Sequence, residues 1–356
     1  MRPRTLWAFV LLFFIPSHDI SAARKTPTRK APANRTPRAP APTATMVLPD
    51  EPTARDRAVG EACREGLGRK PGSVVAMDPR TGRILALVNP QYGLMRAYQP
   101  CSVFKIVVGL AGLTEGVITP QTTYNCAKGC WMWPGHGTID LRRALAVSCN
   151  PYFEWIGERL GYPQIQRYST LLGLGAPSGI NLAGEAPGKI PFVVRPAEVG
   201  HLSSHAAGIT TSAVQIAVLL SATINGGVVF QPQLAKGDGF VAKERWRLPD
   251  QTVYKGLADG FLSAVNEGSA TGAFDPNVLV AGKTGSCSRV GWFASYAPAD
   301  RPEVVIVVFL VGGNGHRASD VAGKIYQSLY QLPTAPVAAP ASTPVPAPGA
   351  PAAAGS

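Results

Sequence analysis

Residues 73–78 and 83–88 are two short apolar, β-rich runs on either side of Pro79-Arg80-Thr81-Gly82. Strand-favouring residues interrupted by a proline and glycine turn predict a hairpin. A second hairpin is predicted near the far end, where runs 290–296 and 303–311 flank Ala297-Pro298-Ala299-Asp300-Arg301-Pro302. Between the two hairpins the apolar spacing becomes helical over 103–115, 141–160 and 213–224, and a last helical stretch, 319–330, follows the second hairpin. Strands at both ends with helices between do not form an alternating βαβ array. The predicted class is α+β, with one mostly antiparallel sheet flanked by helices.

With 46% hydrophobic residues in 356, the chain can bury a large core and is not disordered as a whole. Beyond the first stretch, no apolar run approaches the roughly 18 residues of a membrane span. Proline is uneven: residues 24–53 and 333–356 hold seven each of the 33. Charge is uneven too, since eight cations against Asp19 put +7 of the net +12 within the first 49 residues. The basic Pro/Thr/Ala-diluted stretch 24–49 lacks the aromatic residues on which bases stack, so no nucleic-acid partner is expected. The first 23 residues combine Arg2 and Arg4, an apolar stretch 6–15 and the small residues Ser21-Ala22-Ala23, the three parts of an export signal. The expected organisation is a signal peptide at 1–23, a basic proline-rich linker at 24–53, a folded domain at 54–332 and a disordered Pro/Ala-rich tail at 333–356. The folded domain is expected outside the cytoplasm, in a periplasm or similar compartment, anchored to a membrane only if the signal is retained. Disulfides are permitted there.

Three short motifs carry the candidate chemistry. Ser102-Val103-Phe104-Lys105 opens an apolar helix, and its i, i+3 spacing puts hydroxyl and amine on one face. An unprotonated lysine there can take the serine proton. Ser148-Cys149-Asn150, at a loop, offers a second hydroxyl and an amide for proton relay and carbonyl binding. Lys283-Thr284-Gly285-Ser286, just ahead of the second hairpin, offers a cation and two hydroxyls for a carboxylate. Gly285 lets a ligand approach the backbone.

In this order the three motifs resemble the set shared by penicillin-binding proteins and serine β-lactamases. The resemblance extends to 74–86, to Gly135-His136-Gly137, Asp140-Leu141 and Ala144-Leu145, to Glu185-Ala186-Pro187-Gly188 and Asn225-Gly226-Gly227, and to Gly291-Trp292-Phe293 with Tyr296-Ala297-Pro298. It covers about residues 60–330 and implies the penicillin-binding/β-lactamase fold. It further implies a D,D-transpeptidase or D,D-carboxypeptidase acting on peptidoglycan stem peptides, with β-lactams as covalent ligands. Ser102 would be the nucleophile and Lys105 its base, Ser148 would relay a proton, Asn150 would orient Lys105 and substrate, and Lys283 would tune the network. Thr284 and Ser286 would bind the substrate carboxylate, and the N–H groups of Ser102 and Ser286 would form the oxyanion hole. No metal or cofactor is expected, and the short N-terminal segment leaves no glycosyltransferase expected.

The chain departs from the family at Cys101, where glycine is usual. A disulfide between Cys101 and Cys287 is expected because the two flank the implied oxyanion hole, as in the bridge beside the nucleophile of class A carbapenemases. A local Cys126–Cys130 bridge is a further expectation, with Cys63 and Cys149 reduced. The alternative activity is a serine β-lactamase. Glu185 lies at a plausible distance for a class A deacylating base, but matches the penicillin-binding segment, and Asn150 stands where class D enzymes have an apolar residue. A non-enzymatic β-lactam sensor is the third reading. His201 and His205 are read as structural rather than metal-binding, and Trp131, Trp133 and His136 as an aromatic loop that either packs or lines the cleft.

Overall fold

The computed structural model describes residues 44–127, 130, 132, 134–235, 240–248 and 255–331. The expected signal peptide and tail, most of the expected linker, Trp131 and Trp133 lie outside them. In chain order the first elements are β1 (Met46–Val47), α1 (Ala54–Leu67), β2 (Gly72–Met77), β3 (Ile84–Val88), α2 (Pro90–Gly93) and α3 (Lys105–Thr114). Next come β4 (Tyr124–Cys126), β5 (Gly137–Ile139), α4 (Leu141–Ala146), α5 (Asn150–Leu171), α6 (Val199–His205) and α7 (Ala213–Ile224). The chain continues with β6 (Val228–Phe230), β7 (Glu244–Arg247), α8 (Lys255–Asn266), β8 (Ala281–Cys287), β9 (Val290–Ala297), β10 (Val304–Val311) and α9 (Gly315–Tyr330).

Six strands form one antiparallel sheet in the order β1-β3-β2-β10-β9-β8. Both predicted hairpins are therefore present, as β2–β3 and β9–β10. β10 joins them at the centre, pairing Val307 with Val75 on one side and Ala294 on the other. Its sequence is apolar throughout because both faces are covered. Val305, Val307 and Phe309 meet Val75, Met77, Trp292 and the helical core of α3, α5 and α7. Ile306, Val308 and Leu310 meet Val74, Phe293 and the apolar stripes of α1 and α9.

Sequence reading passed over α1, although its start is marked. Thr53 accepts the Asp56 N–H while the Asp56 carboxylate accepts the Thr53 N–H, a reciprocal cap. Asp56 is also fully buried and receives Arg83 in a two-pronged pair, with Nη1 to Oδ1 at 2.8 Å. That pair ties α1 to the first hairpin, and Arg83 Nε also donates to the Ala235 carbonyl at 3.0 Å, which ties the hairpin to the segment after β6. β1, within the stretch expected as linker, pairs Met46 with Val88.

The predicted helix at 141–160 is two helices, which corrects that expectation. α4 stops at Ala146, Ser148 takes a left-handed φ of 56°, and α5 restarts at Asn150 behind Pro151. A proline at 151 has no N–H to give to residue 147 and its ring clashes with that carbonyl, so one helix cannot run through. The break sets the second motif at a corner. At the other end, α9 starts four residues earlier than expected because the Asn314 side chain caps the Arg317 N–H.

Candidate active site

After Pro100 the chain makes a 3₁₀ turn, Cys101–Phe104, that runs into α3 and carries Ser102 and Lys105. Cys101 holds a φ of 53°. A left-handed residue with a Cβ is strained by about 1 kcal/mol or more, which is the physical reason glycine suits this place. Lys105 is fully buried, and its amine reaches the Ser148 carbonyl at 2.7 Å, Asn150 Oδ1 at 2.6 Å and Ser148 Oγ at 3.2 Å. Burial pushes the Lys105 ammonium down to about 7, against the opposing pull of Cys149, Glu154 and Cys130. An amine so tuned is about half free base at neutral pH. Among the described residues it makes no hydrogen bond to Ser102 Oγ; its partners come from the second motif.

Lys283, also fully buried, donates to Ser148 Oγ at 2.9 Å and to the Thr284 carbonyl at 3.0 Å. Burial, then the like charge of Lys105, holds it well below the ordinary lysine value. The Ser148 hydroxyl thus bridges two amines from opposite ends of the sequence. Thr284 Oγ1 pairs with Ser269 Oγ at 2.6 Å, and Ser286 Oγ accepts the Gly315 N–H at 2.8 Å.

β8 lies directly behind the Cys101–Phe104 turn. A Cβ at Gly285 would sit 2.7 Å from the Pro100 carbonyl oxygen and 3.2 Å from the Val103 nitrogen. The close approach expected at Gly285 is thus made by the protein's own backbone. Beside it, the Cys101 and Cys287 sulfurs are at bonding distance with Cα atoms 5.7 Å apart. Ser102, Ser148, Asn150, Thr284 and Ser286 line one cleft of about 500 Å³. Val147, His205, Ser269, Asn314 and His316 line it too, and sequence reading did not place them there. No local pattern links them, because they come from five separate elements or connections. Another cleft, of about 510 Å³, is lined by Lys70, Arg317 and Lys324 and contains none of the three motifs. Glu185 accepts the N–H groups of Ser178 at 2.7 Å and Gly179 at 3.1 Å, so its carboxylate is used to cap a loop.

The Cys126–Cys130 bridge is not formed, which corrects that expectation. Both thiols instead face His136 Nδ1, at 3.6 and 3.1 Å, while Cys149 Sγ lies 3.1 Å from Cys126 Sγ. The four donor atoms lie within 4.8 Å of one another. Three thiols and an imidazole are a donor set that suits tetrahedral zinc. Glu154, His201 and His205 also cluster, but both ring nitrogens of His205 already have partners in Asn150 and Ser204.

The penicillin binding protein transpeptidase domain matches residues 72–331. The peptidoglycan D,D-transpeptidase MrdA of Haemophilus influenzae is 27% identical over 365 residues, covering 78% of this chain and 56% of that protein. The stage V sporulation protein D of Bacillus subtilis is 27% identical, covering 74% of this chain and 49% of that one. The chain spans about half the length of these curated relatives. Among solved structures, the D,D-transpeptidase domain of a peptidoglycan glycosyltransferase from Eggerthella lenta superposes with a TM-score of 0.69 at 20% identity, over 77% of this chain and 81% of that one. That likeness concerns the fold. With the matched domain running from β2 to the end of α9 and all three motifs meeting in one cleft inside it, the chain belongs to the penicillin-binding protein transpeptidase family.

Proposed function

We propose that this chain is a serine D,D-acyltransferase that acts on the D-Ala-D-Ala ends of peptidoglycan stem peptides outside the cytoplasm. The observation that carries the reading is the amine of Lys105, buried, lowered to about 7 and held by Ser148 and Asn150 beside Ser102. Ser102 Oγ attacks the penultimate carbonyl and Lys105 takes its proton. The N–H groups of Ser102 and Ser286 receive the negative charge on the carbonyl oxygen. As the peptide bond breaks, the Ser148 hydroxyl passes a proton from the Lys105 side to the departing D-alanine amine, with Lys283 holding that hydroxyl. Thr284 and Ser286 bind the terminal carboxylate. An amine or water then takes the acyl group from Ser102, which gives transpeptidation or carboxypeptidation.

β-Lactams trap the same ester. Hydrolysing them quickly needs a second base, and the carboxylate weighed for that role, Glu185, is engaged with Ser178 and Gly179. In the same reading Cys101 and Cys287 form a disulfide; separately, and against the expectation of no metal, the cluster of Cys126, Cys130, His136 and Cys149 next to the second motif is proposed to hold one zinc ion. Elemental analysis of the purified chain should find one zinc per molecule, and Cys126→Ser should remove it.

Intact-mass measurement after a pulse of penicillin tests the central claim. The expected result is a stable adduct on Ser102, absent in Ser102→Ala. Labelling of that variant at the normal rate overturns the assignment, and drug consumed without a lasting adduct favours the β-lactamase.

A further inference from the structure

Asn150 is held from two sides. Its Oδ1 accepts from Lys105 Nζ at 2.6 Å, and its Nδ2 faces His205 Nε2 at 3.3 Å. Turned the other way, the amide would withdraw the acceptor for a Lys105 N–H and occupy the amine lone pair that must take a proton, so Oδ1 faces Nζ, Nδ2 is the donor and Nε2 must bring a lone pair. The proton of the neutral imidazole is then on Nδ1, which faces Ser204 Oγ at 2.5 Å. Ser204 in turn donates to Glu154 Oε1 at 2.8 Å. Donors and acceptors therefore run in one direction from Asn150 to a carboxylate on α5.

We propose that His205 is a positioning residue for acyl transfer: its unprotonated Nε2 holds the Asn150 amide in the orientation that turns Oδ1 toward Lys105. This rests on the acyl-transfer reading above. Three further observations support it. His205 lines the reaction cleft. Its backbone is anchored by Gln99 Nε2, which donates to its carbonyl at 2.7 Å. Its ring is stacked on His201 with centroids 4.3 Å apart, so its plane is set. The groups facing it are Asn150 and Glu154 from α5, Lys105 behind Asn150, and His201 and Ser204 from its own helix. Burial, then His201 and Lys105, hold it below the ordinary histidine value, against the opposite pull of Glu154. It is therefore neutral in neutral solution. Protonation would place an N–H against the Asn150 NH₂, forcing the amide to turn and present its own N–H groups to Lys105.

The test compares the rate of labelling by a fluorescent penicillin in the full chain carrying His205→Leu or His205→Gln. Glutamine offers an acceptor near the place of Nε2 and does not titrate. Leucine offers none and strands the Asn150 donor, which should slow labelling by about tenfold or more, while the glutamine variant should stay within about threefold. The acid limb of the pH–rate profile should be shallower by one proton in His205→Gln than in the parent. Labelling of the leucine variant at the parent rate, equal slowing of both variants, or an unchanged acid limb in His205→Gln would each overturn the proposal. If the leucine variant lacks a cooperative melt, the acid limb of the glutamine variant decides. Failure of the parent itself to label would count against the acyl-transfer reading instead.

Discussion

The two walls of the cleft are held by different physics. One wall is backbone: β8 pairs along β9 from Ala281 to Cys287 and presses Gly285 against the Pro100 carbonyl, with Cys101 and Cys287 meeting at its end. The other is the corner between α4 and α5, where Ser148 is left-handed, its hydroxyl is held by Lys105 and Lys283, and the Asn150 amide is held by Lys105 and His205. Changes to the first wall should therefore cost stability. Changes to the second should cost chemistry, because burying two amines opposes folding and is retained for reactivity.

The largest effect is expected at the polar wall. Lys105→Met keeps the volume and removes the base, so acylation should slow by about 10²–10⁴ while the melting temperature stays level or rises. A large drop in melting temperature would show that this wall also carries the fold. Cys287→Ser should do the reverse, lowering stability by about 2–4 kcal/mol in denaturant titration and leaving most of the acylation rate. Gly285→Ala comes next: its new Cβ meets a backbone oxygen that cannot swing away. A cost of about 1–3 kcal/mol is expected in denaturant titration, with a smaller loss of labelling rate than Lys105→Met shows. An unchanged melt, or a rate loss as large as that of Lys105→Met, would break the contrast. The mildest test is pH. In the proposed mechanism free-base Lys105 is the reactive form, and its value is about 7, so acylation should rise with pH through neutrality and level off above it. A rate that falls as pH rises from 6 to 8 would point to a different base.

Much of the scaffold was legible because local and global demands agree. The turn at 79–82 marks the first hairpin, and the stripe of α7 was read at its observed bounds, Ala213–Ile224. Other elements were missed for identifiable reasons. β1 is two residues long and exists only through its pairing with β3. The Thr53 and Asp56 cap announces α1, yet the run after it holds so many charged residues that its apolar stripe is faint. Ser269, Asn314 and His316 reach the cleft through the docking of α8 and α9 against β8.

The sequence by itself determined the reactive inventory: a serine and lysine one turn apart, a second serine with an amide, and a lysine strand motif. Those are local, since side chains three residues apart on a helix share a face whatever the rest of the chain does. Which groups touch was decided only by the tertiary structure. Lys105 meets residues 43 and 45 positions away, and Lys283 reaches Ser148 across 135. The pairing of Cys126 and Cys130 with His136 and Cys149, rather than with each other, is of the same kind. Contacts over such separations follow from how two faces of a sheet are covered, and burial then sets the charge of each amine, a property that no spacing along a chain encodes.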